Sequence, residues 1–160
     1  MESITESALD IQRKKLKAVE YFLRELLVRD TGHTVARVLL FGSLLKGEAK
    51  PESDIDLLIV TTDSPRPVSE AAAEASFETG MATGESIEPL IRCVDEIRHP
   101  QSYFLYYILK SGREVHRMDE QDMKKKEARN FLDLSAEYLD GAVSSSQSGY
   151  YRLAVDAAYN

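Results

Sequence analysis

Two short apolar segments in the first half of the chain restrict its possible folds. They read VARVLLF at residues 35–41 and IDLLIV at residues 55–60. Both are rich in Val, Ile and Leu and lack the strict alternation of a strand that has one wet face. Each therefore predicts a strand that is covered on both sides.

The neighbouring segments supply the covering elements. A helix is predicted over residues 3–30, because apolar side chains recur at helical spacing up to the turn at Gly32. Later segments predict a helix over residues 68–80, a strand over 86–94, a helix over 100–112 and a strand over 113–117. Pro89 in the third strand indicates a sheet edge or a bulge. This order predicts an α/β (α+β) domain over residues 1–117.

The chain changes character after this domain. Residues 119–142 are charged, with apolar positions at helical spacing, residues 143–149 read as a polar loop, and residues 150–160 begin another helix. We expect residues 118–160 to form a separate helical segment. Its apolar face would pack either on the first domain or on another copy of the chain. The second arrangement would give a homo-oligomer.

Composition narrows the class of protein. The 160 residues suffice for one good core, and the single cysteine, Cys93, excludes a disulfide framework. A formal net charge of −7 argues against general binding of nucleic-acid backbones. No apolar run is long enough to span a membrane, and the N-terminus is too polar for a secretion signal. The sequence therefore predicts a cytoplasmic protein without membrane contact.

A Gly-Ser pair follows the first strand directly. Gly42 lets backbone amides approach a ligand closely, and Ser43 adds a hydroxyl donor. Successive amides in such a loop make a concavity for phosphate oxygens. The loop is not a Walker A motif, because Glu48 stands where that motif needs Lys after Gly47. Alone, a glycine-rich turn of this kind is more often only a turn.

Two carboxylates at the start of the second strand change that balance. Asp54 and Asp56 are two positions apart, so strand alternation puts them on one face while Ile55 points to the other. Two such groups do not easily ionise together without a cation. Mg²⁺ commonly takes one or two carboxylates together with substrate phosphates. The residues predict a phosphoryl- or nucleotidyl-transfer site, the alternative being a surface turn that Asp54 caps.

The motif Gly42-Ser43, ten residues, then Asp54-Ile55-Asp56 resembles the signature of the DNA polymerase β-like nucleotidyltransferases, and the minimal nucleotidyltransferases most of all. The resemblance covers about residues 1–117. It implies a small mixed sheet flanked by helices, followed here by the C-terminal helical segment. It also implies that Gly42 and Ser43 hold the nucleotide phosphates and that Asp54 and Asp56 hold Mg²⁺.

A third carboxylate from a later strand usually assists in this family and can act as the base on the attacking hydroxyl. Glu88 is the best candidate for that catalytic and metal-binding position, and Glu85 is the next. Pro89 beside Glu88 departs from the plain apolar strand usual there. Lys46 is the only cation between Ser43 and the next glycine, and it is either a phosphate contact or an exposed lysine.

The C-terminal segment resembles the first helix and a half of a HEPN domain, without that family's Arg and His nuclease motif. The resemblance of the first domain to the nucleotidyltransferases implies a Mg²⁺-dependent transfer of a nucleoside monophosphate to a hydroxyl, with AMP from ATP the expected case. The acceptor would be a HEPN toxin of a toxin–antitoxin pair, or a small molecule. The alternative function is a non-catalytic antitoxin or binding module that neutralises or scaffolds a helical partner.

Overall fold

The computed structural model describes residues 7–159, so the first residues of the helix predicted over 3–30 lie outside the described residues. The chain divides into two compact units, one up to Met118 and one from Asp119. Among the helices of residues 7–159, none combines the length and the hydropathy needed to cross a lipid bilayer.

The first unit contains a sheet and five helices within the described residues. In chain order its elements are α1 (Ala8–Arg29), β1 (Val35–Phe41), α2 (Gly42–Lys46), β2 (Ile55–Thr61), α3 (Pro65–Thr83), β3 (Ile87–Cys93), α4 (Val94–Arg98), α5 (Tyr103–Ser111) and β4 (Arg113–Arg117). The second unit is the long helix α6 (Glu120–Gln147) followed by α7 (Tyr151–Ala158).

The four strands form one mixed sheet in the order β3-β2-β1-β4. β1 runs antiparallel to both β2 and β4, whereas β2 and β3 are parallel. The predicted mixed α/β fold is confirmed. Pro89 lies in β3, which is an edge strand, and this agrees with the general exclusion of proline from central strands.

Helices α1 and α3 cover one face of the sheet. Phe22 of α1 and Leu57 and Ile59 of β2 are fully buried in the same apolar cluster. Ala72 and Ala75 give α3 a small-residue surface against this cluster, so the helix can pack closely. Because successive side chains of a strand point to opposite faces of the sheet, every second side chain of β1 and β2 packs against α1 and α3.

The opposite face carries the other set of strand side chains. Leu39 and Leu58, which are register partners, are buried on this side, and α5 packs against β1. The rings of Phe41 and Phe104 meet edge to face with centroids 5.9 Å apart. The prediction that the two central strands are covered on both faces is therefore correct.

Several boundaries differ from the sequence prediction. Residues 143–147 are not a loop but the last turns of α6, since the run holds no proline or glycine to stop the helix before Gly149, whose φ is 78°. The Gly-Ser segment forms the short helix α2, and α4 was not predicted at all. α3 begins earlier than predicted, at Pro65, where a missing amide hydrogen is tolerated.

A buried ion pair joins α1 to the turn that precedes β3. The ammonium of Lys15 lies 2.5 Å from Oε2 of Glu85, and both side chains are almost fully buried. Lys15 also donates to the backbone carbonyls of Pro51 and Ser53 at 3.2 and 2.6 Å. Lys14, which is half exposed, contacts the other carboxylate oxygen at 3.0 Å. Burial alone would raise the pKa of Glu85, but the hydrogen bonds and charges of the two lysines outweigh it, and the pKa is lowered.

We predict that Glu85→Gln lowers the free energy of unfolding at pH 7 by about 3–5 kcal/mol, because it leaves the Lys15 charge buried without its partner. A lowered pKa means that this stabilisation is complete above the ordinary carboxyl pKa and is lost as the pH falls through the lowered value. The difference from the parent should therefore shrink towards pH 3. Urea titrations between pH 3 and pH 7 measure it.

The control for this prediction is Glu70→Gln. Glu70 forms an exposed i,i+4 pair with Arg66 on α3, with both side chains at least 70% exposed. Exposed pairs contribute about 0–1 kcal/mol, so this variant should match the parent closely at every pH. Equal losses in the two variants would contradict a special role for the buried pair.

Candidate active site

The site is built where β1 ends and β2 begins. Gly42 directly follows β1 and has a φ of 74°, a conformation that L residues with a side chain rarely adopt. A Cβ at this position would overlap Oδ2 and Cγ of Asp56. Glycine is therefore required twice, for the backbone turn and for the close approach of the Asp56 carboxylate. The turn and the carboxylate predicted from the sequence do come together.

Ser43 and Lys46 belong to the short helix that Gly42 opens. In the described chain no side chain caps the start of α2, whose N-cap position is Phe41. The first amides of a helix have no partner within the helix, and they suit an anion. Lys46 lies in the last turn of α2 and is exposed, so it is accessible to solvent and to ligand alike.

Asp56 lies between two register partners that define its surroundings. It is opposite Phe41 on β1 and opposite Glu88 on β3. Residues that are register partners in a sheet project from the same face, which here is the face covered by α5. Asp56 is half buried, and Glu88 is exposed. The structure thus brings Glu88 next to the Asp-x-Asp pair.

The carboxylates at this point repel one another. The pKa of Asp56 is raised, first by burial, then by the negative charge of Glu88 and then by that of Asp54. Asp54 precedes β2 and is exposed. Asp56, whose ionised form Glu88 and Asp54 disfavour, lies beside a backbone turn that cannot carry a side chain, and a bound cation would relieve this repulsion.

The carboxylates of Asp54, Asp56 and Glu88 are the side chains of the site that could bind a divalent cation. In residues 7–159 no group of three His, Cys, Asp or Glu side chains is already arranged as a complete protein cage for a metal. Mg²⁺ does not need one, because it keeps waters and uses one or two carboxylates with substrate phosphates. Asp56, with Asp54 before it and Glu88 beside it, fits an open site of that kind.

Glu85 is placed differently from Glu88. It is 4% exposed and engaged by Lys15 and Lys14, whereas Glu88 stands opposite Asp56 on the neighbouring strand. The structure therefore places Glu88, and not Glu85, beside Asp56, and it gives Glu85 two lysine partners instead. Pro89 does not disturb this arrangement, because β2 and β3 stay in register through Leu57 and Pro89.

Sequence reasoning did not find the aromatic pair beside the site. Phe41 is the register partner of Asp56, and Phe104 packs on Phe41 from α5. The position of Phe41 directly before Gly42 was a usable signal. Phe104 had no local signal, since its place depends on how α5 returns to β1.

The first unit contains a nucleotidyltransferase domain. The chain matches the nucleotidyltransferase domain family over residues 16–115, and it belongs to that family. The match includes every predicted site residue of the first unit, and it ends before α6. No curated protein sequence matches the chain significantly.

One solved structure supports this fold, and two others resemble the chain less closely. A candidate nucleotidyltransferase from Sulfolobus solfataricus superposes with a TM-score of 0.50 at 14% identity, covering 75% of this chain and 96% of that one. A toxin–antitoxin complex with AMP-PNP gives 0.44 at 20% identity, covering 79% and 90%. The toxin–antitoxin complex MntA-HepT gives 0.41 at 17% identity, covering 77% and 91%.

We predict that Asp56→Asn leaves the free energy of unfolding of the protein without ligands unchanged or slightly higher at pH 7. The raised pKa of Asp56 means that its ionised form opposes folding, so parent stability should rise as the pH falls from neutral towards the ordinary carboxyl range. The variant should lack that part of the rise. Urea titrations at several pH values check both points, and a clear loss of stability at pH 7 would favour a structural role for Asp56.

Proposed function

We propose that the protein is a Mg²⁺-dependent nucleotidyltransferase that transfers AMP from ATP to a hydroxyl acceptor. The observation that carries the proposal is the contact of the Gly42 turn with Asp56, whose register partner is Glu88. It brings a glycine turn and several acids together at one point of the sheet. Family membership supports the transferase class, and the choice of ATP rests on the sequence resemblance.

Each residue of the site has a role in this proposal. Gly42 and Ser43 bind the phosphates through backbone amides and the Ser43 hydroxyl. Asp54 and Asp56 hold Mg²⁺, and Glu88 assists them. Bound Mg²⁺ would neutralise the charge of the triphosphate and of the leaving pyrophosphate. Lys46 can reach solvent-exposed phosphate oxygens from the end of α2.

The transfer is a single displacement at the α-phosphorus. The acceptor oxygen forms a bond to phosphorus while the bond to the bridging oxygen breaks, and pyrophosphate leaves with that electron pair. Glu88 takes the proton of the acceptor hydroxyl. Most of the rate enhancement comes from positioning the two reactants and from the charges already present around the phosphates.

We further propose a HEPN-type protein as the acceptor. The support is the resemblance of residues 119–160 to the beginning of a HEPN domain, together with the apolar residues that this segment exposes. Five of these side chains are at least 60% exposed: Phe131, Leu132 and Leu139 of α6, and Tyr151 and Leu153 of α7. An apolar helical surface of this kind fits another helical protein or a second copy of the chain.

The same exposed surface favours a second candidate function. A module that neutralises or scaffolds a helical partner needs the surface of α6 and α7 but no nucleotide. The two functions differ in what they require: an enzyme needs ATP and Asp56, whereas a binding module keeps its partner when Asp56 is replaced.

We predict that ATP with Mg²⁺ raises the melting temperature of the parent and not that of Asp54→Asn or Asp56→Asn. A ligand that binds only the folded state stabilises it by about 2.7 kcal/mol at a hundredfold excess over its dissociation constant. Asp133→Asn is the control, because Asp133 is exposed on α6 and should leave the shift intact. Equal shifts in both site variants would sink this assignment of the metal ligands.

We also predict that Glu88→Gln reduces transfer about 10²–10⁴-fold, the usual contribution of a general base, while leaving most of the ATP-induced melting shift. The assay incubates the protein with ATP labelled at the α- or γ-phosphate, Mg²⁺ and cell extract. Nucleotidyl transfer moves only the α-label to the acceptor. Glu52→Gln, an exposed acid of the loop before β2, should transfer at the parental rate. Transfer of the γ-label would indicate a kinase instead.

A further inference from the structure

Lys15 is buried in the middle of the first unit with all of its hydrogen-bonding capacity used. Its ammonium has three N–H donors, and three acceptors surround it: the carbonyl of Pro51, the carbonyl of Ser53 and the carboxylate of Glu85. The residue is 0% exposed. A single side chain of α1 therefore contacts two later segments of the chain at once.

These contacts fall directly before the two strands that carry the site. Ser53 immediately precedes Asp54, and Glu85 lies three residues before Glu88. The backbone completes the connection, since the amide of Ile55 donates to the carbonyl of Ser86 at 2.9 Å. The first residues of β2 and β3 are thus fixed to each other and to α1 at one place.

Stability alone is a poor reason for this arrangement. A buried ion pair is often no more stabilising than two apolar side chains of the same volume, because desolvation of both charges opposes it. An apolar pair would fill the space, but it could not hold the two carbonyls of the loop. The ammonium adds hydrogen bonds of defined direction, which fix the position of the loop. This matters because the groups of a binding site must be held within about 0.5 Å of their productive geometry.

We propose that Lys15 is a positioning residue for the nucleotidyltransferase site, acting on Asp54 and Asp56 through the Ser53 carbonyl and on Glu88 through Glu85. The inference rests on the proposed function of the site. Lys15 itself does not touch the reacting groups. It sets the spacing between the start of β2 and the start of β3, and so the spacing of the carboxylates that bind Mg²⁺.

The test separates positioning from stability with a double variant. Lys15→Met alone leaves Glu85 buried without its closest partner and should unfold at lower urea. Lys15→Met/Glu85→Leu removes both charges and keeps the volume, so its urea midpoint should return close to the parental one. If Lys15 positions the site, the double variant should still need at least tenfold more Mg²⁺ than the parent for a half-maximal ATP-induced melting shift. Its amides at residues 53–56 should also exchange with solvent at least tenfold faster.

A purely structural role predicts that both readouts recover with stability, so parental Mg²⁺ dependence and parental exchange in the double variant overturn the proposal. Lys14→Met, which removes the half-exposed ammonium from the same carboxylate, is the control and should leave both readouts unchanged. If the double variant does not fold, Lys15→Arg replaces it. That variant keeps the charge opposite Glu85 but moves the donors, and it should fold with a raised Mg²⁺ requirement.

Failure of the proposed function gives a different result. A parent protein that shows no melting shift with any nucleoside triphosphate and Mg²⁺ contradicts the transferase site. Exchange at residues 53–56 then decides the role of Lys15 on its own, because faster exchange in the stable double variant supports an ordering role and parental exchange refutes it.

Discussion

The site depends on the register of β2 between its two neighbours. Antiparallel pairing with β1 puts Phe41 opposite Asp56, and parallel pairing with β3 puts Glu88 there. A slip of one residue in either pairing would turn Asp56 towards the α1–α3 core and bring Ile55 or Leu57 to the face covered by α5. Ile55, Leu57 and Ile59 of β2 are buried in the core and oppose that slip. The slip would replace these apolar side chains in the core by a carboxylate, which is costly to bury.

The sequence was most informative for the short strand segments, whose composition and flanking turns are local signals. The strand segments at 35–41 and 113–117 have the bounds that the structure shows, and the second strand extends only one residue further, to Thr61. Within the site, the spacing from Gly42 to Asp56 was readable because the motif is local. Glu88 was readable as a candidate because it lies in the third predicted strand, but its position opposite Asp56 required the strand order.

The rest depended on contacts between distant segments. Lys15 has no sequence signal for burial, because a lysine on an amphipathic helix is usually solvated. Its partners lie 36, 38 and 70 residues away, and only the packing of α1 beside the turn before β3 brings them together. The helical turns over residues 143–147 were missed for a different reason. Serine-rich segments favour loops only weakly, and a continuing helix overrode that preference.

The proline of β3 has an effect beyond the site. An edge strand exposes unpaired backbone groups and invites a strand from another molecule to join the sheet. Pro89 cannot donate to such a strand, and Arg113 and Arg117 place charge along β4 at the other edge. Pairing of this sheet with a sheet edge of another molecule is therefore opposed on both sides.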